Sequence, residues 1–104
     1  PPEVVKAIAD LAEEHDLWLF TDDLYEHLIY DGTFTAAAQF YPERTLIIHG
    51  ASKAYALTGW RIGDGSGPRK LISLMTRLQG QVTSGANALA QYAVVAALNE
   101  HAYA

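Results

Sequence analysis

Two short, continuously apolar segments constrain the fold of this chain most. They are residues 17–20 (Leu-Trp-Leu-Phe) and residues 45–48 (Thr-Leu-Ile-Ile). Strands that are apolar on both faces are typical of parallel sheets that are covered by helices on both sides. The two segments are more than twenty residues apart, which leaves room for the long crossover that parallel pairing requires. The sequence therefore predicts an α/β fold in which these segments pair in parallel.

Helical patterns surround the two segments. Residues 2–15 repeat apolar side chains at spacings of three and four, a second helix is predicted from Pro68, and Ser84 is a candidate N-cap for a third. Residues 62–66 could add a strand, although two glycines weaken that prediction. The apolar positions assigned to the three helices are Val4, Ile8, Leu11 and Ala12, then Leu71, Leu74, Met75 and Leu78, then Leu89, Val94, Val95 and Leu98. The predicted architecture is a partial three-layer sandwich with a mostly parallel sheet of two to three strands.

Composition excludes several classes of function. The 104 residues carry a net charge of −5, which argues against nucleic acid or an anionic membrane as a partner. The absence of cysteine excludes disulfides and thiolate metal sites. No apolar run approaches the roughly 18 residues of a membrane span, and no secretory signal pattern is visible. We expect a cytoplasmic protein, and because Pro1 leads straight into a helical pattern, we expect these residues to belong to a longer chain.

Reactive side chains follow both predicted strands. Asp22 comes one residue after the first apolar segment, and Lys53 follows the second after a Gly-Ala-Ser link. Ligands of open α/β sheets bind beyond the carboxyl ends of the strands. If the strands are parallel, Asp22 and Lys53 emerge at the same edge of the sheet.

Lys53 and Arg61 could hold an aldehyde and a phosphate. A Schiff base needs a neutral amine for part of its cycle, and burial or neighbouring cations supply that form of a lysine. A guanidinium fork matches a phosphate dianion better than a point charge does. The alternatives are a solvated surface lysine, which is the usual environment of lysine, and a surface arginine stacked on Trp60.

Asp22 and Tyr25 could complete such a site. An aspartate that faces a pyridine nitrogen keeps that nitrogen protonated, and a tyrosine can donate to a phenolate oxygen. The alternatives are a turn or N-cap aspartate and a half-buried aromatic residue. Asp23 competes with Asp22, which we prefer for its spacing to Tyr25. These two residues, a Schiff-base lysine and a phosphate-binding arginine are the parts needed to hold pyridoxal 5′-phosphate.

Other polar clusters give weaker signals. The four histidines have no metal-like spacing, so no metal site is predicted. His27 lies near Glu26 and Asp23, and a surface ion pair is the preferred interpretation. Residues 64–67 resemble a phosphate-binding loop only loosely and lack the full Walker or Rossmann pattern.

The motifs together resemble those of the class I aminotransferases, which are pyridoxal-phosphate enzymes with the aspartate aminotransferase fold. The upstream Asp-x-x-Tyr motif of the family is matched by Asp22 and Tyr25, at about the family's separation from the lysine. One departure is Asp64, which stands where relatives usually have an aromatic residue. The lysine signature of the family is matched by Gly50, Ser52, Lys53, Gly59, Arg61 and Gly63.

The resemblance implies a role for each matching side chain. Lys53 would hold the cofactor covalently and move a proton, and Asp22 would pair with the pyridinium nitrogen. Tyr25 would bond the phenolic oxygen, Arg61 would bind the phosphate, and Ser52 could add a hydroxyl there.

The resemblance also implies a function for the parent protein. It would move an amino group between an aspartate-like amino acid and a 2-oxo acid, as a homodimer whose interface passes near residues 79–85. Residues 1–104 would be a fragment of the cofactor-binding large domain, with no second domain, and we expect them not to turn over substrate alone. The alternatives are a lyase or decarboxylase on the same fold and a non-catalytic fragment.

Overall fold

The part of the chain that the computed structural model describes, residues 1–100, contains four α-helices and three strands. The helices are α1 (Pro2–Glu14), α2 (Ala51–Ala54), α3 (Arg69–Val82) and α4 (Ala88–Glu100). The strands are β1 (Leu19–Asp22), β2 (Thr45–Gly50) and β3 (Gly63–Ser66). Short 3-10 helices cover Ala37–Gln39, Pro42–Arg44 and Thr58–Trp60. The predicted α/β class is confirmed, whereas His101 lies outside the described residues.

The sheet has the order β1-β2-β3 and is mixed. β1 and β2 are parallel, with Asp22 opposite Ile48, so the predicted parallel pairing of the two apolar segments is confirmed. β3 pairs antiparallel with β2 and places Asp64 opposite His49. The third strand therefore forms despite its glycines, because the chain reverses direction after α2 and returns along β2.

Helices lie on both faces of this sheet. On one face, Leu19 packs against a buried cluster of Ala9, Ala12 and Tyr41, which ties α1 to β1. On the other face, Met75 of α3 approaches Gly65, where an added Cβ would lie 3.9 Å from the Met75 Cε atom. The sheet therefore lies between two helical layers.

The buried face of α1 differs from the predicted apolar stripe. Val4, Ile8 and Leu11 are all about half exposed, while Ala9 and Ala12 are buried. Small side chains let the helix approach its neighbours closely, so the alanine face packs inward. The helix itself was predicted correctly, and of the predicted stripe Ala12 is buried whereas the larger apolar side chains are not.

The end of α1 explains why β1 begins later than predicted. Asp16 adopts a left-handed φ of 56°, and the Leu17 N–H donates to the Ala12 carbonyl at 2.8 Å. This pairing is a Schellman motif, which terminates a helix and satisfies its last carbonyls. Leu17 is therefore used in the helix cap rather than in the strand. The predicted burial of this segment on both faces was also wrong, because Phe20 is 66% exposed.

Arg44 connects the end of α1 to the start of β2. Its Nη2 atom lies 2.6 Å from Asp16 Oδ1, and its Nη1 atom donates to the Asp16 carbonyl at 2.9 Å. The guanidinium carbon also lies 5.8 Å from the centre of the Trp18 ring. These contacts hold the α1–β1 connection beside β2.

Asn87, not Ser84, caps α4. The Asn87 Oδ1 atom accepts a hydrogen bond from the Ala90 N–H at 3.1 Å, the usual N-cap contact. Ser84 has a left-handed φ of 62° and donates its N–H to the Gln79 carbonyl at 3.1 Å, so it ends α3. Sequence patterns do not distinguish a cap of the next helix from a terminator of the previous one when the two helices are this close.

Candidate functional site

Asp22 and Lys53 lie at one edge of the sheet. Asp22 is the last residue of β1, and Lys53 lies in α2, which begins directly after the last residue of β2. Because β1 and β2 are parallel, their carboxyl ends meet at this edge. The backbone therefore brings the two residues to a common edge as the topology predicted, while their chemical roles stay predictions.

Lys53 and Tyr25 contact each other at this edge. The Lys53 Nζ atom lies 5.7 Å from the centre of the Tyr25 ring, within range of a cation–π interaction. Both side chains are exposed, so Lys53 is not the buried lysine that desolvation would activate. An exposed amine beside an exposed aromatic ring is accessible to a ligand.

The neighbouring aspartates occupy different environments. Asp22 is exposed, and its Oδ1 atom accepts a long hydrogen bond of 3.4 Å from the Leu24 N–H. Asp23 is buried, its N–H donates to the Ile48 carbonyl at 3.0 Å, and its Oδ2 atom has no hydrogen-bond partner among the described residues. The accessible carboxylate at the edge is therefore that of Asp22, while its role in binding a ligand stays a prediction.

Burial raises the pKa of Asp23. The charges of Glu26 and Asp22 raise it further, whereas the charge of His49 and the nearby Thr21 hydroxyl lower it. The Thr21 hydroxyl itself forms no hydrogen bond of normal geometry in the described structure. The ionised form of Asp23 is therefore disfavoured in the folded chain.

We expect Asp23→Asn to stabilise the fold at neutral pH. The pKa of Asp23 is raised above its ordinary value of 3.8, so the folded chain binds the proton more tightly than the unfolded chain does. This group therefore destabilises the fold progressively as pH rises from 3.8 to the folded pKa, and fully above it. Urea unfolding across this range should give a flatter profile for Asp23→Asn, with a gain on the order of 1 kcal/mol at neutral pH.

Asp31→Asn is the matched control for this prediction, because Asp31 is exposed in a turn. It should leave the pH profile of unfolding unchanged. A larger loss of stability with rising pH in Asp23→Asn than in the wild-type chain would contradict the assignment of the penalty to Asp23.

Arg61 occupies a strained turn next to β3. Its backbone has a left-handed φ of 52°, which non-glycine residues rarely adopt. The Nη1 atom donates to the Thr58 carbonyl at 3.0 Å, which uses one of the five N–H donors of the guanidinium group. The described residues show no cation–π contact between Arg61 and Trp60, so the stacked alternative is not what the structure contains. The exposed guanidinium group of Arg61 keeps N–H donors that could bind an anion. Ser52, the hydroxyl residue of the lysine signature, is half-buried in α2.

Two glycines allow the close packing of backbone segments around the site. A Cβ added at Gly50 would lie 2.6 Å from the Leu24 Cδ2 atom, so the turn after β1 packs directly on the end of β2. A Cβ added at Gly63 would lie 2.9 Å from the His49 carbonyl oxygen. The second contact involves backbone and leaves little freedom to adjust.

We expect Gly63→Ala to destabilise the chain by about 1–3 kcal/mol, the usual range for overpacking. The added methyl group would push the start of β3 away from the end of β2, next to the candidate site. Gly59→Ala is the control, because nothing lies within 4 Å of a Cβ added there. Urea unfolding of both variants checks the prediction, and equal stabilities would contradict it.

Acidic and histidine side chains from the turn after β1 and from β2 and β3 lie close together, and the sequence predicted only some of their contacts. The predicted contact of His27 with Glu26 is present, with Nε2 and Oε1 3.1 Å apart, and it is an ion pair when His27 is protonated. Sequence reasoning missed His49, whose Nδ1 atom lies 3.9 Å from the same carboxylate oxygen. Its position next to the end of β2 is the signal that could have found it. Asp64 on β3 is the register partner of this histidine on β2.

The site residues fit pyridoxal phosphate by the chemistry of their donors. The edge of the sheet carries an amine, a carboxylate and a phenol, and the loop that follows carries a guanidinium group with free donor capacity. The described part of the chain contains no group of three or more histidine or acidic side chains that could hold a metal ion. No helix in that part is long and apolar enough to cross a membrane.

Comparisons with known proteins agree with this geometry. The sequence model of the family described as aminotransferase class I and II matches residues 1–103. The aspartate/prephenate aminotransferase of Thermus thermophilus is 45% identical over 94% of this chain. The aspartate aminotransferase of Rhizobium meliloti is 53% identical over 80% of the chain.

Solved structures give the same result. The aspartate aminotransferase from Thermus thermophilus with maleate superposes on 97% of this chain with a TM-score of 0.92 and 44% identity. The chain spans only about a quarter of its relatives: 26% and 21% of the two sequences above and 26% of the superposed chain. On the family match and these identities, the chain belongs to the class I and II aminotransferases.

Proposed function

We propose that residues 1–104 supply the lysine-bearing part of a pyridoxal-phosphate-dependent aminotransferase. The parent moves an amino group between an amino acid, aspartate or a related one, and a 2-oxo acid. The observation that carries this proposal is the meeting of Lys53 with Tyr25 at the edge of the sheet where Asp22 ends β1. The printed names of the relatives, aspartate and aspartate/prephenate aminotransferases, support the class of substrate.

The cofactor, when bound, supplies an electron sink for the charge that develops when an amino acid loses its Cα proton. Lys53 would hold the cofactor aldehyde through its Nζ atom and, once the amino group of the substrate had replaced it there, would act as the amine that takes up and returns a proton. Asp22 would face the ring nitrogen, and the ionised form of its carboxylate would be favoured by a cation there. Tyr25 would donate its hydroxyl hydrogen to the phenolic oxygen.

The loop after α2 would bind the phosphate group of the cofactor. Arg61 offers paired N–H donors in the fixed geometry that suits a phosphate dianion. Its Nη1 bond to the Thr58 carbonyl holds the guanidinium in place before any ligand arrives. Ser52 adds a hydroxyl donor from α2.

We further propose that these residues belong to the cofactor-binding large domain of a cytoplasmic homodimer, with no second domain within residues 1–104. The chain matches only 21–26% of the length of two relatives, which supports its being one part of a larger parent. Substrate-orienting groups would lie on other parts of the parent, so a lyase or decarboxylase activity is the alternative on this fold.

A chain that does not bind the cofactor alone is the second candidate, and exposed apolar side chains favour it. Phe20, Leu78 and Val82 are each at least 66% exposed. Titration with pyridoxal phosphate, followed by visible absorption and circular dichroism, decides between the candidates. Saturable binding at one site supports the cofactor-binding role, and a folded chain without saturable binding contradicts it.

A further inference from the structure

A group of charged side chains lies beside the candidate site without a role in the proposed chemistry. Glu26 stands between His49 and His27, at 3.9 Å and 3.1 Å from their ring nitrogens. Asp64 is directly opposite His49 in the β2–β3 ladder, so the two side chains project to the same face. Asp23 and His49 line the same cavity, and the charge of His49 lowers the pKa of Asp23. These five residues are called the His49 cluster.

The His49 cluster is joined to the candidate site through the backbone. Asp23 is the chain neighbour of Asp22, and Glu26 is the chain neighbour of Tyr25. The Glu26 N–H donates to the Asp23 carbonyl at 3.2 Å, and the Asp23 N–H donates to Ile48 on β2 at 3.0 Å. A force that pulls Asp23 and Glu26 towards β2 therefore also fixes Asp22 and Tyr25 at the edge of the sheet.

The protonation state of His49 decides whether the carboxylates of the His49 cluster are attracted to its ring or mainly repel one another. When the imidazole is neutral, the carboxylates of Asp23, Glu26 and Asp64 surround it, and His27 is the other group in the cluster able to carry positive charge. When it is protonated, it attracts all three carboxylates. Among the described residues, the two cavities that His49 borders are lined by no acidic or basic side chain outside the cluster, and their other polar side chains are Tyr55, Ser66, Thr76, Gln79 and Gln91.

We propose that His49 is a positioning residue, whose positive charge holds the turn that carries Asp22 and Tyr25 against the end of β2. The proposal rests on the proposed function for the roles of Asp22 and Tyr25. The contact of His49 with Glu26 is attractive only while the imidazole is protonated, so we expect the turn to be held more firmly at lower pH. This proposal also accounts for Asp64, which departs from the family pattern, because its carboxylate lies opposite His49.

The first test uses the chain without cofactor. The charge of His49 lowers the pKa of Asp23, so His49→Gln should raise that pKa, as followed by carbon NMR of the Asp23 carboxyl. His15→Gln is the control, since His15 lies at the end of α1, and it should leave the titration unchanged. An unchanged Asp23 titration in His49→Gln overturns the proposal, whether or not the chain binds pyridoxal phosphate.

The second test measures the dissociation constant for pyridoxal phosphate at about pH 6 and about pH 8. His49→Gln should bind about fivefold more weakly than the wild-type chain at the lower pH, as expected for loss of a partly exposed ion pair. His49→Lys, which keeps the charge, should bind more tightly than the wild-type chain at the higher pH. A purely structural role would instead make both substitutions weaken binding equally at both pH values.

The two tests separate the failure of this proposal from the failure of the proposed function. A wild-type chain that does not bind pyridoxal phosphate removes the proposed function, and the Asp23 titration then still decides whether His49 acts on the turn. A wild-type chain that binds, with one pH profile shared by all three proteins, overturns the role of His49 alone.

Discussion

Lys53→Ala should abolish the visible absorption that the wild-type chain acquires with pyridoxal phosphate. That absorption requires a covalent imine between the cofactor aldehyde and an amine, and alanine offers no amine. The fold should be unaffected, because the Lys53 side chain is exposed and its described ring contact is the one with Tyr25. Equal circular dichroism spectra for the two proteins would show that loss of the band reflects loss of the amine.

The control for this experiment must address the other amines, because aldehydes also react with surface lysines. Lys70→Ala is suitable, since Lys70 is exposed near the start of α3. It should keep the full band. Borohydride reduction followed by peptide mapping should place the label on Lys53, and a label shared evenly among the lysines would contradict a specific site.

The common edge of Asp22 and Lys53 could be predicted because it depends on only two features of the sequence. Each apolar segment is short and is followed closely by a reactive side chain, and apolar segments of this kind pair in parallel. The observed register, with Asp22 opposite Ile48, places both residues at the edge without further assumptions. The predicted common edge is correct even though β1 begins two residues later than the apolar segment does.

The surroundings of that edge could not be predicted because they depend on contacts between distant residues. Glu26 and His49 meet only because β1 and β2 pair in one particular register. The left-handed backbone of Arg61 has no signal in the residue type, since glycine is the residue that usually marks such a conformation. The exposed stripe of α1 was mispredicted because periodicity identifies an apolar face and does not say which neighbour covers it.

Arg61→Ala should weaken the binding of pyridoxal phosphate by roughly 10- to 100-fold, the effect expected for losing a hydrogen bond to a charged group. The covalent chemistry at Lys53 should remain possible, so a visible band should still form at high cofactor concentration. Pyridoxal, which lacks the phosphate, separates the two effects. Its affinity should be the same for the wild-type chain and for Arg61→Ala, because the lost interaction is with the phosphate alone.

Arg61→Gly extends this prediction to the backbone. Glycine adopts the left-handed conformation of residue 61 without strain, so Arg61→Gly should stabilise the chain by about 1 kcal/mol while losing phosphate affinity as Arg61→Ala does. Urea unfolding and cofactor titration of the same samples measure both effects. Arg77→Ala, an exposed arginine on α3, is the control and should change neither quantity. A chain that gains stability and loses cofactor together shows that the strain at Arg61 is retained for phosphate binding, whereas unchanged affinity in both variants removes the phosphate role from Arg61.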